Sequence, residues 1–486
     1  MTKVPLHDFD EANRAEGARN MKNYSSYLAP LTGSPFLRNI DLFVEAKDNP
    51  LLKIYYHLER PPLYFLSMVF SSSIIGDNEF SYRLPSFVFG LMAFVVLATA
   101  TSGAVLPVLT LATSSDWWLS SQSALMDTSL SLFLFIALAF LLGFIQRKRN
   151  SLLVLSGVSL GLAILSKGQP AVIFAFPLLF TLFTKKVSFR QASILLASAG
   201  AVIAPWAIAV ITKFGFDNFI GTFLGFAKNR STVGDTTQLA PVYWYVRWFI
   251  ESFRLGFLLF LTLVVTDFVE KRFSYRKILI LFYFFFSLAL FSLSKNKVWW
   301  YVLPLVPVAA LYIHESVLGI IKIDKNKLFN LSLIVLLLSL PLFYGSSNTV
   351  ALSYAVFLVG LSFMVMRLKI KLKNLYVNIL FMVAIVFSLF IFYLRFPTIA
   401  PTYPEVKTMG EYYQKLPQPK CLYLQSMPYE AMLYYSRAEE VNYLDENTRL
   451  IKGCNSYLIT PDKIDDTNTF HNEDSLNLYK IDKISP

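Results

Sequence analysis

The residues best suited to chemistry form a charged stretch near the start of the chain, from Asp8 to Glu16. On a helix, Arg14 can pair with Asp10 because the two are four residues apart, whereas Asp10 and Glu16, six apart, face different directions. A carboxylate in such a place can orient an acceptor group or take its proton. The alternative interpretation is a charged loop that is simply solvated.

A second polar pair, Glu59 and Arg60, stands directly before an apolar stretch that opens with two prolines. The planar guanidinium of arginine is suited to bidentate recognition of a phosphate. The segment therefore predicts either a phosphate-binding site at the mouth of an apolar helix or an interfacial anchor. In the anchor, Arg60 would meet lipid headgroups and Tyr64 would lie in the aromatic belt of the membrane.

Further along the chain, one acid and several cations border apolar segments. Asp127 begins one such segment and Lys167 ends another. Lys297 lies just before the aromatic run from Trp299 to Tyr301. Ionisable side chains at the edge of a membrane segment are costly and for that reason indicate function. Cations gathered with aromatic residues would hold a phosphate at the membrane surface, or would only bind phospholipid headgroups.

Membrane helices must position these residues, because the composition is that of a membrane protein. Of 486 residues, 55% are hydrophobic and 16% are charged, whereas a soluble domain has about 25% charged residues. Apolar runs that approach the ~20 residues needed to cross a bilayer recur along the chain. They predict about twelve spans, near residues 84–100, 103–115, 125–145, 151–167, 169–184, 191–213, 246–269, 278–294, 299–320, 328–345, 351–366 and 375–396.

Much of the formal net charge of +12 lies in short basic clusters between these spans, which is typical of cytoplasmic loops. If every cluster is inside, the candidate residues all lie on or next to the outer side. Nucleic acid is not expected as a partner, because the basic and aromatic residues do not share a soluble face. The segments placed outside are 1–83, 115–124, 214–245, 294–299 and 397–486.

The apolar stretch 61–76 decides this topology. It is short for a span, and a crossing there would move every later loop to the other side. We interpret it as a helix that lies at the outer interface; the alternative makes it a span and fuses 84–113 into one long helix. No apolar segment precedes Asp10 to carry residues 1–60 outward. Either this segment is translocated unaided or, as we expect, the true start of the protein lies upstream.

The tail from 397 to 486 is predicted to form a small α/β domain. Helical stretches near 404–415 and 429–437 alternate with four short β-type runs, which begin at Cys421, Val441, Ser456 and Leu478. The two cysteines of the chain, Cys421 and Cys454, both lie in this tail. Outside the cytoplasm a disulfide is chemically permitted, and two unpaired thiols are the alternative.

Seven short motifs, taken in order, resemble those of bacterial transferases that move a sugar from undecaprenyl phosphate onto lipid A. These enzymes, typified by the aminoarabinose transferase, are relatives of the protein O-mannosyltransferases. The resemblance covers the whole membrane part. Its motifs are Asp10-Glu11 with Ala15-Glu16, Arg19 and Met21; Glu59 to Tyr64; Arg83 to Ser86; Met126-Asp127 with Leu130; Ser166 to Gly168; Ala240-Pro241 with Tyr243 to Tyr245; and Ser294 with Lys297, Tyr301 and Pro304.

The resemblance implies a fold and a role for individual residues. The fold would be an α-helical polytopic membrane protein of the GT-C type, with a small C-terminal α/β soluble domain. Asp10 would be the essential acid, next to Glu11, and Asp127 a second acid in the same cavity. The candidates for contact with the donor phosphate are Arg60, Lys297 and Tyr301, together with the outward cation Lys167 and, more loosely, Arg230.

One departure from the resemblance concerns a metal. Relatives can bind a metal between the glutamate of the second motif, here Glu59, and a histidine in the loop near 214–245. The four histidines are His7, His57, His314 and His471, so none lies there, and Gln238 stands roughly at that place. We expect no required cofactor; a divalent metal on Glu59 would need His57 as a substitute ligand.

The expected reaction transfers a sugar from a polyprenyl phosphate carrier to lipid A or a similar acceptor. The expected location is a bacterial inner membrane, with the site and the C-terminal domain in the periplasm, and membrane lipids as further partners. A protein O-glycosyltransferase with the same fold is an alternative. A multi-span transporter or flippase is another, and it would bury acids at mid-membrane beside broken helices.

Overall fold

A computed structural model describes most of the chain outside residues 322–401. The described residues are 5–6, 10–33, 42–47, 52–112, 114–228, 240–295, 297–321, 402–444, 450–462, 469–473 and 475–481. The predicted spans 328–345, 351–366 and 375–396 lie outside the described residues, as does the candidate Arg230. The count of about twelve spans therefore stays a prediction.

The N-terminal segment forms one helix and a small antiparallel sheet. Helix α1 (Asp10–Asn23) precedes strands β1 (Leu31–Thr32), β2 (Phe43–Glu45) and β3 (Lys53–Tyr56), which pair in the order β1-β3-β2. The consecutive residues from Glu11 to Met21 are all buried, so α1 has neighbours on every side. The described part of the charged stretch, Asp10 to Glu16, is therefore a helix that is buried from Glu11 onward rather than a solvated loop.

Helices α2 to α13 occupy the described residues between 63 and 321. Sequence signals define several ends: Asn78 and Ser188 form capping boxes at the starts of α3 and α9. The helices are α2 (Leu63–Ile75), α3 (Glu79–Ala100), α4 (Val105–Ala112), α5 (Ser115–Gln122), α6 (Asp127–Arg147), α7 (Asn150–Lys167), α8 (Ala175–Phe183), α9 (Phe189–Phe214), α10 (Phe216–Lys228), α11 (Trp244–Val269), α12 (Tyr275–Leu293) and α13 (Leu305–Ile321).

Among the described residues, six segments are long and apolar enough to cross a membrane, and α11 adds a seventh if its two halves, bent by 111°, form one span. Helix α2 has 13 residues and is therefore about 20 Å long, short of the ~30 Å hydrocarbon core, as expected of an interfacial helix. The fused helix 84–113 is not formed, because α3 ends at Ala100.

Two predicted spans differ from the helices observed. The predicted span 103–115 is interrupted, with α4 ending at Ala112 and Ser114 capping the separate helix α5. The predicted span 169–184 begins as a 3-10 helix, Gln169–Phe174, before α8. A proline in the first turn of that 3-10 helix lacks the N–H needed to continue the hydrogen bonds of α7.

Helices α6, α7 and α9 form a tightly packed layer that holds two of the candidate residues. A Cβ added at Gly157 of α7 would collide with the backbone oxygen of Leu195 on α9. Small residues permit this close approach, which gives membrane helices their packing energy in the absence of a hydrophobic driving force. Asp127 at the start of α6 and Lys167 at the end of α7 therefore lie at one end of a rigid layer, which we call the motif end.

The C-terminal domain is an α/β unit, as predicted. Strands pair in the order β5-β4-β6-β8-β7, with β4 parallel to both β5 and β6. The four predicted runs correspond to β4, β5, β6 and β8, and a disulfide joins Cys421 to Cys454. The elements are α14 (Val406–Gln414), β4 (Lys420–Leu424), α15 (Glu430–Ser436), β5 (Val441–Tyr443), β6 (Asn455–Thr460), β7 (Thr469–Glu473) and β8 (Leu476–Lys480).

This domain packs directly on α1. Arg19 Nη1 donates a hydrogen bond to Tyr434 O at 2.6 Å, and its guanidinium lies 4.9 Å from the centre of the Tyr434 ring. Lys407 Nζ is 2.6 Å from the Glu79 carboxylate at the start of α3. Because these contacts join the domain to both α1 and α3, the domain holds α1 in place at the motif end.

Candidate functional site

The acids of α1 and α6 meet at the motif end. Asp10 Oδ2 is 3.1 Å from Arg14 Nη2, the pairing expected at a spacing of four. Asp127 is completely buried and forms an ion pair with Lys167. Asp10 and Arg14 both lie close enough to interact electrostatically with Asp127 and Lys167. The structure thus brings together two acids and two cations from three separate motifs.

The late aromatic loop reaches the same cluster. Lys167 Nζ lies 4.7 Å from the centre of the Tyr301 ring. Tyr245 of α11 holds this loop, because its hydroxyl accepts from Val298 N and donates to Val298 O, both at 3.2 Å. Lys297, adjacent to Val298, is 6% exposed and donates to Ser294 O at 2.6 Å. Burial lowers the pKa of Lys297 below its usual value.

Glu59 and Arg60 occupy the turn between β3 and α2. Arg60 Nη1 donates to Asn13 Oδ1 of α1 at 2.8 Å, and Arg60 Nε lies 3.7 Å from Glu59 Oε1. His57 Nδ1 donates to that same Glu59 oxygen at 2.6 Å. Burial alone would raise the pKa of Glu59, but His57 and Arg60 together hold it below its usual value.

The described residues around Glu59 do not form the metal site that the resemblance implied. Glu59 Oε1 is engaged by His57 Nδ1 at hydrogen-bond distance. Across the ranges that the structure describes, no three His, Cys, Asp or Glu side chains are grouped as metal ligands would be. Gln238 lies outside those ranges. A carboxylate with a single imidazole partner is a poor donor set for a divalent cation, so no step of the reaction is assigned to a metal.

Glu11 faces away from the acid cluster. Arg83 of α3 holds its carboxylate in a bidentate pair, with Nε to Oε1 at 2.8 Å and Nη2 to Oε2 at 2.9 Å. The backbone N–H of Ala124 donates to Glu11 Oε1, also at 2.8 Å. Adjacent residues on a helix point about 100° apart. Asp10 therefore faces Arg14 and α6, whereas Glu11 joins α1 to α3 and to the loop before α6.

Glu16 lies on another side of α1, where it packs against β1. It is completely buried and accepts hydrogen bonds from Asn20 and from Gly33 N, the latter at 3.4 Å. Burial raises the pKa of Glu16 to about 7, although the nearby Arg19 opposes the shift. The six-residue spacing from Asp10 correctly predicted that Glu16 belongs to a different environment.

Most of the candidate residues come together, and several partners were not predicted. Asp10, Asp127, Lys167 and Tyr301 form one cluster, and Arg60 is attached to it through α1. No role was predicted for Asn13 or Arg83, although each lies within a quoted motif segment. Asn13 stands three residues after Asp10 and therefore on the same face of the helix, which is the signal that could have identified it.

Comparison with sequences of known proteins identifies one segment of the chain. Residues 59–212 match the family described as dolichyl-phosphate-mannose-protein mannosyltransferase. An uncharacterized protein of Aquifex aeolicus (strain VF5) is 28% identical over 262 residues, which are 52% of this chain and 59% of that protein. The chain thus matches less than two thirds of the length of this relative.

Comparison with solved structures identifies the fold. ArnT from Cupriavidus metallidurans bound to undecaprenyl phosphate superposes with a TM-score of 0.67 at 17% identity, covering 98% of this chain and 94% of that one. The apo state of the same protein gives a TM-score of 0.65 at 18% identity, with equal coverage. At such identities the similarity establishes the fold.

The resemblance and the fold class predicted from the motifs are therefore confirmed. The match of residues 59–212 bears out the expected class of enzyme for that segment. The chain has the fold of the GT-C membrane glycosyltransferases and resembles those that use a lipid-phosphate-linked sugar donor.

Proposed function

We propose that the chain transfers a sugar from a polyprenyl phosphate carrier, of the undecaprenyl type, to lipid A or a similar acceptor. The observation that carries the proposal is the convergence of Asp10, Asp127, Lys167 and Tyr301 at the motif end, although they come from four distant segments. The similar structure of ArnT bound to undecaprenyl phosphate supports the identity of the carrier.

Asp10 is the acid best placed to meet an acceptor. Its side chain is 28% exposed, whereas that of Asp127 is inaccessible to solvent. A carboxylate near the attacking oxygen can orient it or take its proton. If the acceptor is a lipid phosphate, it is already deprotonated, and Asp10 would act by positioning it. Asp127 would then hold the Lys167 ammonium in place at the motif end through their ion pair.

The leaving group of the reaction is a phosphate that gains negative charge as the bond to the anomeric carbon breaks. Cations that are already in place stabilise this charge without reorganisation. Arg60 and Lys297 are our candidates, with Tyr301 and Lys167 beside them; Arg230 belongs to the same proposal. A bound phosphate would favour the charged form of Lys297 and so oppose the effect of its burial.

The proposed location is a bacterial inner membrane with the motif end and the C-terminal domain in the periplasm. The disulfide between Cys421 and Cys454 supports an oxidising compartment for that domain. The basic residues between α6 and α7 and between α8 and α9 lie at the opposite ends of these helices, as the positive-inside trend requires.

Asp10→Asn tests the proposal. We expect the variant to insert into the membrane at the wild-type level and to lose transfer by about 100-fold or more, because general acid–base and positioning groups contribute this much. The matched control is Asp217→Asn, which removes an exposed acid on α10. The measurement is mass spectrometry of lipid A from cells that express each variant. Wild-type levels of modified lipid A with Asp10→Asn would refute the assignment.

A protein acceptor is the second candidate, because residues 59–212 match a family of protein mannosyltransferases. The same cells decide between the two acceptors. If lipid A is unmodified and glycopeptides depend on the gene, the acceptor is a protein hydroxyl. In that case Asp10 would have to take a proton from the attacking group, and Asp10→Asn should lose the gene-dependent glycopeptides.

A further inference from the structure

Asn13 connects helix α1, which carries Asp10, to the turn between β3 and α2, which carries Arg60. Arg60 Nη1 donates to Asn13 Oδ1 at 2.8 Å. Asn13 is 8% exposed, and the Arg60 side chain is 18% exposed. Because Asn13 lies on the same face of α1 as Asp10, this one bond fixes the guanidinium relative to the acid.

The charge of the partner distinguishes Arg60 from three other cations near the site. Arg14, Lys167 and Arg83 each form a close ion pair with a carboxylate of their own. The carboxylate nearest to Arg60 is 3.7 Å away, and the oxygen concerned is the one that already accepts from His57. The close partner of Arg60 is instead the neutral amide oxygen of Asn13.

A neutral acceptor has a particular consequence for a cation. It fixes the direction of the guanidinium through a hydrogen bond, and it adds no negative charge to that of Glu59 Oε1, which lies 3.7 Å from Arg60 Nε. The structure shows no hydrogen bond from Arg60 Nη2 to any residue in the ranges it describes. A fixed, charged guanidinium that keeps the N–H groups of Nη2 as donors is suited to recognition of a phosphate.

We propose that Asn13 is a positioning residue that aims Arg60 at the phosphate of the polyprenyl donor while leaving its charge available. This inference rests on the proposed function, because it takes the donor phosphate to be the ligand of Arg60. It adds that an amide, rather than a carboxylate, is needed at position 13. Asn13→Asp keeps the size and the acceptor oxygen but would neutralise Arg60.

The experiment measures the affinity of the purified, detergent-solubilised protein for radiolabelled undecaprenyl phosphate. We expect Asn13→Ala to weaken binding by about 10- to 100-fold, as removal of a hydrogen bond to a charged group does. Asn13→Asp should weaken binding at least as much, while its thermal midpoint equals or exceeds that of the wild type. Asn218→Ala, which removes an exposed amide on α10, is the matched control and should bind normally.

A double-mutant cycle separates an effect through Arg60 from a direct one. In an Arg60→Ala background, Asn13→Ala and Asn13→Asp should change the affinity by less than about twofold. The reason is that position 13 affects phosphate binding only through the Arg60 guanidinium, which this background lacks. A direct repulsion between Asp and the phosphate would persist in that background. A purely structural role would make Asn13→Asp, which retains the bond to Arg60, bind as tightly as the wild type.

Two kinds of failure are distinguishable. If Arg60→Ala alone leaves both binding and sugar transfer at wild-type levels, the phosphate site of the proposed function is wrong, and this inference is wrong with it. If Arg60→Ala weakens binding but the Asn13 variants act equally in both backgrounds, or Asn13→Asp binds normally, the inference about Asn13 alone is overturned.

Discussion

Arg83→Met removes one half of the buried ion pair between α1 and α3. The pair has two hydrogen bonds, at 2.8 and 2.9 Å, and neither side chain is more than 2% exposed. Methionine is similar in length to the arginine stem, so the main change is the loss of a charge. The Glu11 carboxylate would keep the N–H of Ala124 as a donor, but its charge would be uncompensated in a low-dielectric environment.

The expected loss in the free energy of unfolding is about 3–5 kcal/mol, the usual cost of removing one partner of a buried pair. Glu11→Leu should cost a similar amount because it removes the carboxylate with which the buried Arg83 guanidinium forms its bidentate pair. The double variant removes both charges and leaves the Ala124 N–H without its acceptor, a cost of about 1–3 kcal/mol. It should therefore be no less stable than either single variant, and far more stable than their sum predicts.

Unfolding by SDS in mixed micelles, followed by tryptophan fluorescence, supplies the free energies. The control is Arg247→Met, which breaks an ion pair of similar geometry, 2.7 Å, whose side chains are 71% and 50% exposed. Such surface pairs contribute little to stability, and we expect no measurable change in the free energy of unfolding of Arg247→Met. If Arg83→Met is as stable as Arg247→Met, or if the double variant loses the sum of the two single losses, the pair does not stabilise α1 as argued.

Two further predictions concern other parts of the fold. Because burial raises the pKa of Glu16 from 4.5 to about 7, folding binds a proton between these values, and stability should fall as the pH rises through this window. Glu16→Gln should remove that fall and be more stable than the wild type above pH 7; parallel profiles of thermal midpoint against pH would contradict this. Replacing both Cys421 and Cys454 by alanine should destabilise the C-terminal domain by about 3–4 kcal/mol, because the bond closes a loop of sequence separation 33. Two reactive thiols in unreduced protein would show instead that the bond does not form in solution.

The sequence alone was sufficient for features that depend on local composition. Long apolar runs predicted helices such as α6 (Asp127–Arg147) and α7 (Asn150–Lys167) nearly to their ends, because a bilayer imposes a minimum length on any crossing. Alternating apolar residues predicted four strands of the C-terminal sheet. The fifth, β7 (Thr469–Glu473), was missed because it is polar and pairs only at the edge of the sheet. The resemblance was recognised from the order of seven short motifs, which does not depend on contacts between them.

The partners of the candidate residues were decided by the tertiary structure. The spacing of four gave the pairing of Asp10 with Arg14, but no local pattern joins Glu11 to Arg83, 72 residues away, or Arg60 to Asn13, 47 residues away. The C-terminal domain likewise meets α1 through Arg19 and Tyr434, which are separated by 415 residues. Such pairings depend on which helices pack together. The sequence alone does not show which cation lies near a given acid, because it does not show which helices are neighbours. For that reason the sequence identified the acids and cations of the site, and only the packed structure shows which cations are paired with a carboxylate and which meet a neutral amide.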